Sequence, residues 1–310
     1  MSSAVPAHPW AMLCIVHCID LPQPVDGFEE FISAWFFEDN EGRRFLVETG
    51  PAATIPYLAT ELSKLTNSLD YILLTHIHLD HSGGLGHLLK YYPNAKVLVS
   101  PKGRKHLTAP GKLWSASIST LGEIAKLYGE PLPVPSDVFL NEGEGIEGVE
   151  VIETPGHAPH HITFRIPFKS KHLLFVGEAL GITIPDTEGL YLRPTTPPKF
   201  DAQAALSSLD LLSKASSEND ILCFAHFGYK DNAHQIIAKS KEQLILWMNK
   251  SIEWREKGIE KEQMIELLLS QDPLLANFKK LSKQLQSREL RFIGNSLDGI
   301  MEGNSHVITG

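Results

Sequence analysis

The segment LLTHIHLDHSGG, residues 73–84, places His76, His78, Asp80 and His81 within six positions. Neutral imidazoles beside a carboxylate are the donor set of zinc and related divalent metals. A single histidine is ordinarily a packed or solvated side chain, but four such groups at one spot call for another explanation. Alternation along an extended segment puts His76, His78 and Asp80 on one side and turns His81 away. The four therefore suit two metals better than one, yet are too few to complete two sites. Three further candidates stand at or just after apolar, strand-like runs: His157 in ETPGHAPHH, Glu178 in LLFVGEAL and His226 in ILCFAH. All are expected at the same sheet edge. Beside His157, His161 opens a strand and reads as structural. His160 reads as a neighbour of the site or as a solvent-exposed ring.

These groups need a scaffold that ends several strands at one place. The runs 12–20, 31–38 and 43–48 are rich in β-branched and aromatic residues and read as strands, the last two joined by the turn DNEG. A helix is expected over 53–66. YILLTH, 71–76, is continuously apolar and reads as a strand buried on both faces. Gly83 and Gly84 allow a tight turn into a helix near 84–91. A strand at 96–100 and a helix at 111–129 follow. The second half repeats the theme, with strands at 148–154, 161–167, 172–178 and 221–226 and a helix at 201–215. The loop 182–201 carries Pro185, Pro194, Pro197 and Pro198 and reads as a semi-rigid wall of a substrate pocket. After His226 the spacing is helical, over 232–257, 260–270 and 277–303. The fold class is α/β, with helices packed outside sheets. Residues 1–230 read as a metal-binding domain and 231–310 as a C-terminal helical extension.

Composition narrows the partners. A net charge of −9 argues against a nucleic-acid backbone. No stretch offers the roughly 18 uncharged apolar residues of a membrane span, and the N-terminal segment lacks a basic start. Cys14, Cys18 and Cys223 form an odd set without a CxxC pair, which points to a reduced, cytoplasmic protein. The expected partner is a small-molecule substrate, with a homodimer as the open alternative for oligomeric state. A basic run, KKLSKQLQSRELR at 279–291, reads as a solvated helix face. A sharper expectation is that Lys283 and Arg288 reach the pocket and recognise an anionic substrate tail.

The order HxHxDH, then TPGH, then an acidic residue closing an apolar strand, then a strand ending in histidine, resembles the metallo-β-lactamase superfamily from about residue 12 to 230. It is most similar to the branch holding glyoxalase II and related thioester and lactone hydrolases. The resemblance implies a four-layer αββα sandwich of two mixed sheets. It implies one metal on His76, His78 and His157, and a second on Asp80, His81 and His226. Glu178 falls where the family has the carboxylate that bridges both, with Asp186 as the competing candidate. The cofactors implied are two divalent ions, zinc by default, with iron or manganese as alternatives. The implied reaction is hydrolysis of an ester-like bond, thioester first and lactone second, through a metal-bound hydroxide. Asp80 is both ligand and the catalytic group that orients water and shuttles a proton. Tyr191, Tyr229 and Arg193 are candidate proton donors to the leaving group. The chain departs from the family pattern in having Glu178 and Glu48 where aspartates are usual. It also lacks a match to the glutathione-contacting segments of glyoxalase II. Alternative readings are a mono-iron persulfide dioxygenase of the same fold and a phosphodiesterase-type member.

Overall fold

The first sheet consists of β1 (Val16–Asp20), β2 (Ser33–Glu38), β3 (Arg44–Val47), β4 (Tyr71–Leu73) and β5 (Lys96–Leu98), paired in that order. Its first three strands are antiparallel, and β3, β4 and β5 run parallel. The second half of the chain supplies β6 (Glu150–Glu153), β7 (Ile162–Phe168) and β8 (Lys171–Gly177), the short hairpin β9 (Ile182–Thr183) and β10 (Leu192–Arg193), then β11 (Ile221–Phe224) and β12 (Tyr229–Lys230). The second sheet is ordered β12-β11-β8-β7-β6, with β8 and β11 parallel. The computed structural model describes residues 16–303 except 142, 186 and 188. Cys14, the start of the expected strand 12–20, and Asp186 therefore lie outside the described residues.

Side chains two apart on a strand share a face, and here the alternation sorts the apolar residues into separate cores. Trp35, Phe37, Phe45, Val47 and Leu73 of the first sheet meet Phe164, Leu173, Phe175, Ile221 and Cys223 of the second. Ala34, Phe36, Leu46 and Ile72 point outward into a core with helical partners. These partners come from α1 (Ile55–Ser63), α2 (Leu79–Ser82), α3 (Leu85–Leu88), α4 (Pro101–Thr108), α5 (Gly111–Leu121) and α6 (Glu123–Tyr128). On the far side, Leu174, Val176, Leu222 and Phe224 pack against α7 (Ala202–Ala215) and α8 (Ala233–Glu256). The four-layer αββα arrangement follows directly from that two-residue period.

α9 (Lys261–Gln271) and α10 (Lys283–Gly303) follow and close a further apolar cluster around Trp247, Trp254, Leu268 and Leu297. No helix among the described residues is long and apolar enough to cross a membrane.

The expected helix 111–129 is broken, because Gly122 takes a left-handed turn (φ +60°) between α5 and α6. The loop 182–201 is not free of regular structure, since β9 and β10 pair within it. The expected helix at 277–303 begins with a 3-10 turn over Phe278–Lys280, and α10 starts only at Lys283.

Candidate metal centre

Two strand-end contacts tie the sheets together where the candidate residues lie. Ile162 N–H donates to the Thr75 carbonyl at 2.8 Å, and Ser33 N–H to the Ala225 carbonyl at 3.0 Å. His76 and His157 follow β4 and β6, while Glu178 and His226 follow β8 and β11. The donors thus occupy one end of the sandwich and come from both sheets, not from one sheet edge as expected.

The grouping also differs from simple alternation. His78 is the last extended residue (φ −62°, ψ 154°) before α2, and the helical turn carries Asp80 and His81 together toward His226. Three sets hold donor atoms within 4.8 Å of one another: His76, His78, His157 and Glu178; Asp80, His81 and His226; and Glu48, His76 and His81. All seven expected residues converge. Glu178 lies at the middle: its Oε2 is 2.9 Å from His157 Nε2, 3.2 Å from His76 Nε2 and 3.3 Å from His81 Nε2. Its Oε1 is 3.3 Å from His226 Nε2. Asp80 Oδ2 sits 3.6 Å from His81 Nε2 and 3.7 Å from His226 Nε2.

The outward ring nitrogens fix what the inward ones can be. His157 Nδ1 donates to the Thr195 carbonyl at 3.1 Å, and His226 Nδ1 to the Phe31 carbonyl at 3.1 Å. The Thr75 hydroxyl gives its one hydrogen to Glu48, so at 3.0 Å it accepts from His76 Nδ1. A neutral ring protonated at Nδ1 presents a lone pair at Nε2. Three such lone pairs therefore face the Glu178 carboxylate. The Nε2 of His76 and both ring nitrogens of His81 are buried without hydrogen bonds; the short distances to Glu178 from His76 and His81 miss hydrogen-bond geometry. His157 Nε2 also faces His78 Nδ1 at 3.0 Å. Lone pairs converging on a buried carboxylate repel unless a cation or protons lie among them. The donor set fits a divalent metal on that ground.

Electrostatics agree with a site built around positive charge. Burial opposes the Glu178 charge, yet positive charge at His157 and His226, where a proton takes the place a cation would fill, holds its carboxyl well below the usual range. Burial, followed by neighbouring imidazoles, keeps His76 and His78 neutral, well below the usual histidine value. Burial works against a charge on His81 too, but Asp80, Glu178 and Glu48 outweigh it and push the ring up to about 9. Glu48 is buried, held in a left-handed conformation (φ +65°), and pushed up to about 7 chiefly by burial.

His161 is structural, as expected: its Nε2 accepts from Glu178 N–H, and its Nδ1 bonds Thr154 Oγ1 at 2.8 Å. His160 is half-buried, with its ring 6.0 Å from that of His78. Two proton-donor expectations are corrected. Tyr191 and Arg193 are fully buried and both bond Glu289, so neither faces the site. Tyr229 lies in β12, half-buried against the inter-sheet core. Arg288 is also corrected as a pocket cation, since it is buried on Gly27 and Glu289; Lys283 is exposed and bonds Gln286.

Sequence reasoning missed Thr75, Thr195 and Phe31, which have no motif and act partly through backbone carbonyls.

Comparison with known proteins follows the same line. The sequence model of the metallo-beta-lactamase superfamily matches residues 27–226. A metallo-beta-lactamase fold-containing protein, ST1585 of Sulfurisphaera tokodaii, is 31% identical over 194 residues, 57% of this chain and 70% of that protein. The hydroxyacylglutathione hydrolase of Aeromonas salmonicida is 29% identical over 145 residues, 46% of this chain and 44% of that enzyme. The aligned part is thus less than half of that enzyme's length. The crystal structure of ST1585 superposes with a TM-score of 0.65 at 24% identity, covering 93% of this chain and 98% of that one. TTHA1429 from Thermus thermophilus superposes at 0.64 with 20% identity, covering 96% and 95%. Both structural likenesses speak to the fold.

Proposed function

The chain belongs to the metallo-β-lactamase superfamily, and from that premise we propose that it is a dinuclear metal-dependent hydrolase of an ester-like bond, thioester first and lactone second, in a small molecule. The observation that carries this reading is the convergence of Nδ1-protonated histidines on the buried Glu178 carboxylate. His76, His78 and His157 would hold one ion; Asp80, His81 and His226 would hold the other; Glu178 would serve both. Divalent ions in such a site, zinc by default and iron or manganese as alternatives, polarise a carbonyl and lower the pKa of water. Relatives named hydroxyacylglutathione hydrolases support acyl-bond hydrolysis.

The remaining roles belong to the chain's own residues. Asp80 is only half-buried, so its carboxylate can exchange a proton between the site and solvent while staying within 3.7 Å of His226. Thr75, Thr195 and Phe31 hold three imidazoles in one tautomer, so their inward nitrogens stay fixed before any substrate arrives. The test is elemental analysis of reconstituted protein, with a panel of thioesters, lactones and phosphodiesters assayed before and after chelation. About two ions per chain and chelator-sensitive acyl hydrolysis are expected. Reconstituted protein that binds no metal, or hydrolysis indifferent to chelation, overturns the reading.

A further inference from the structure

α10 runs past the metal-site end of the sandwich, and two consecutive, mutually paired residues of it, Arg288 and Glu289, make contacts with two different segments of the site. Arg288 donates to the Gly27 carbonyl at 2.7 Å and lays its guanidinium 4.3 Å from the centre of the Phe31 ring. Phe31 also touches the metal-site histidine: the Phe31 and His226 rings are 4.5 Å apart, and the Phe31 carbonyl takes the His226 Nδ1 hydrogen. Phe292, one helical turn beyond Arg288, adds a second ring 5.5 Å from Phe31. The segment carrying Phe31 precedes β2; Leu21 N–H donates to the Ile32 carbonyl beside it, and α10 packs on the Phe31 ring itself.

Glu289 joins Arg288 to the other half of the site: its Oε1 accepts from Arg288 Nε at 3.1 Å, and its Oε2 faces the segment 191–193. It accepts from Arg193 Nε at 2.8 Å and from the Tyr191 hydroxyl at 3.0 Å. Further along, Ser296 Oγ donates to the Pro194 carbonyl at 2.9 Å, and Thr196 Oγ1 to the Ser296 carbonyl at 2.6 Å. Between these anchors stands Thr195. Its carbonyl holds His157 Nδ1, and its hydroxyl donates to the Glu178 carbonyl at 3.2 Å. A ring held by one hydrogen bond keeps its direction only if the acceptor is itself fixed. Both acceptors here are loop carbonyls, and both loops are fixed by α10.

We propose that α10 is the positioning element of the metal centre, with Arg288 setting the His226 half through Phe31 and the Glu289–Ser296 stretch setting the His157 half through residues 193–196. This rests on the metal-centre reading. It makes a separable claim, because a helix that merely stabilises the fold would affect both halves alike.

The experiment uses full-length protein with Arg288→Met and Thr196→Val. Glu289→Gln would strand two buried guanidiniums and is less informative. Metal-free, histidine-labelled protein is examined by proton–nitrogen NMR, which reads the Nδ1–H signals of His226 and His157 separately. Zinc affinity is then measured by competition with a chromophoric chelator. Arg288→Met is expected to expose the His226 Nδ1–H to exchange, leave that of His157 in place, and weaken one of two stepwise zinc constants about 10-fold. Thr196→Val is expected to do the reverse. Variants that disturb both signals equally, or neither, overturn the proposal while leaving the metal reading intact. Unsubstituted protein that binds no zinc overturns the metal reading itself, and this proposal with it.

Discussion

The backbone N–H of Glu178 donates to His161 Nε2 across 3.1 Å, so the residue at the middle of the donor cluster is held in place by a histidine outside it. The same ring binds Thr154 Oγ1 through Nδ1. His161→Leu removes the acceptor and leaves the buried Glu178 N–H unpaired, while Thr154 Oγ1 keeps its bond to Thr163 Oγ1 at 3.1 Å. It is expected to lower stability by about 2 kcal/mol and to weaken metal binding about 10-fold. Thermal denaturation and zinc titration check the two effects.

Glu178→Ala removes the only carboxylate within reach of His76, His157 and His226 together among the described residues. It is expected to lose at least one metal and most activity. Glu178→Asp is also expected to be impaired, because the shorter arm retracts by about 1.5 Å from a backbone already fixed by His161. Elemental analysis beside kcat for both variants checks this. Full metal content and full activity in Glu178→Ala would remove the residue from the site.

Asp20 lies far from the centre in sequence, at the end of β1, and one carboxylate oxygen is buried without a partner. Burial, which outweighs two backbone hydrogen bonds and is reinforced by Glu30, pushes its carboxyl up to about 6. The folded chain therefore keeps this proton longer than the unfolded chain does. Stability should fall as pH rises from about 4, the ordinary aspartate range, to about 6, and the loss should stay constant above that. Asp20→Asn is expected to raise Tm at pH 7.5 and to flatten the profile in that window. A series of melting curves from pH 4 to 8 decides it.

Gly299 presses against the backbone carbonyls of Thr196 and Pro197, and a Cβ there would overlap the Thr196 oxygen. Gly299→Ala is expected to lift α10 off residues 194–197 and to cost about 2 kcal/mol of stability. Gly258 ends its helix in open space, so Gly258→Ala, strained only by its φ of +70°, should cost less. Denaturant midpoints compared for the two variants measure the difference.

Much of this was legible because the signal was local. The continuous apolar run YILLTH marks a strand buried on both faces, and His76, His78, Asp80 and His81 are neighbours in sequence. Ligands at strand ends could likewise be read from where apolar runs stop. What escaped was set by contacts between distant segments. Tyr191 and Arg193 read as pocket residues because their loop flanks the site, yet a carboxylate nearly a hundred positions on draws both inward. Arg288 sits in a basic run that reads as solvated, and the packing of α10 on Gly27 and Phe31 buries it. Alternation alone sets Asp80 apart from His81; the family resemblance groups them with His226, and the four-residue helix that does so is too short to show a period.

The donors hang from both sheets, and that has a consequence for how the molecule assembles. His78 and His157 face each other across 79 residues of chain, and His226 is held by a carbonyl 195 residues earlier. In the unfolded chain such groups meet at low effective concentration. An ion can therefore be captured only after the two sheets have docked. In a refolding experiment, a metal-responsive dye would report that docking as a late event, behind the recovery of secondary structure.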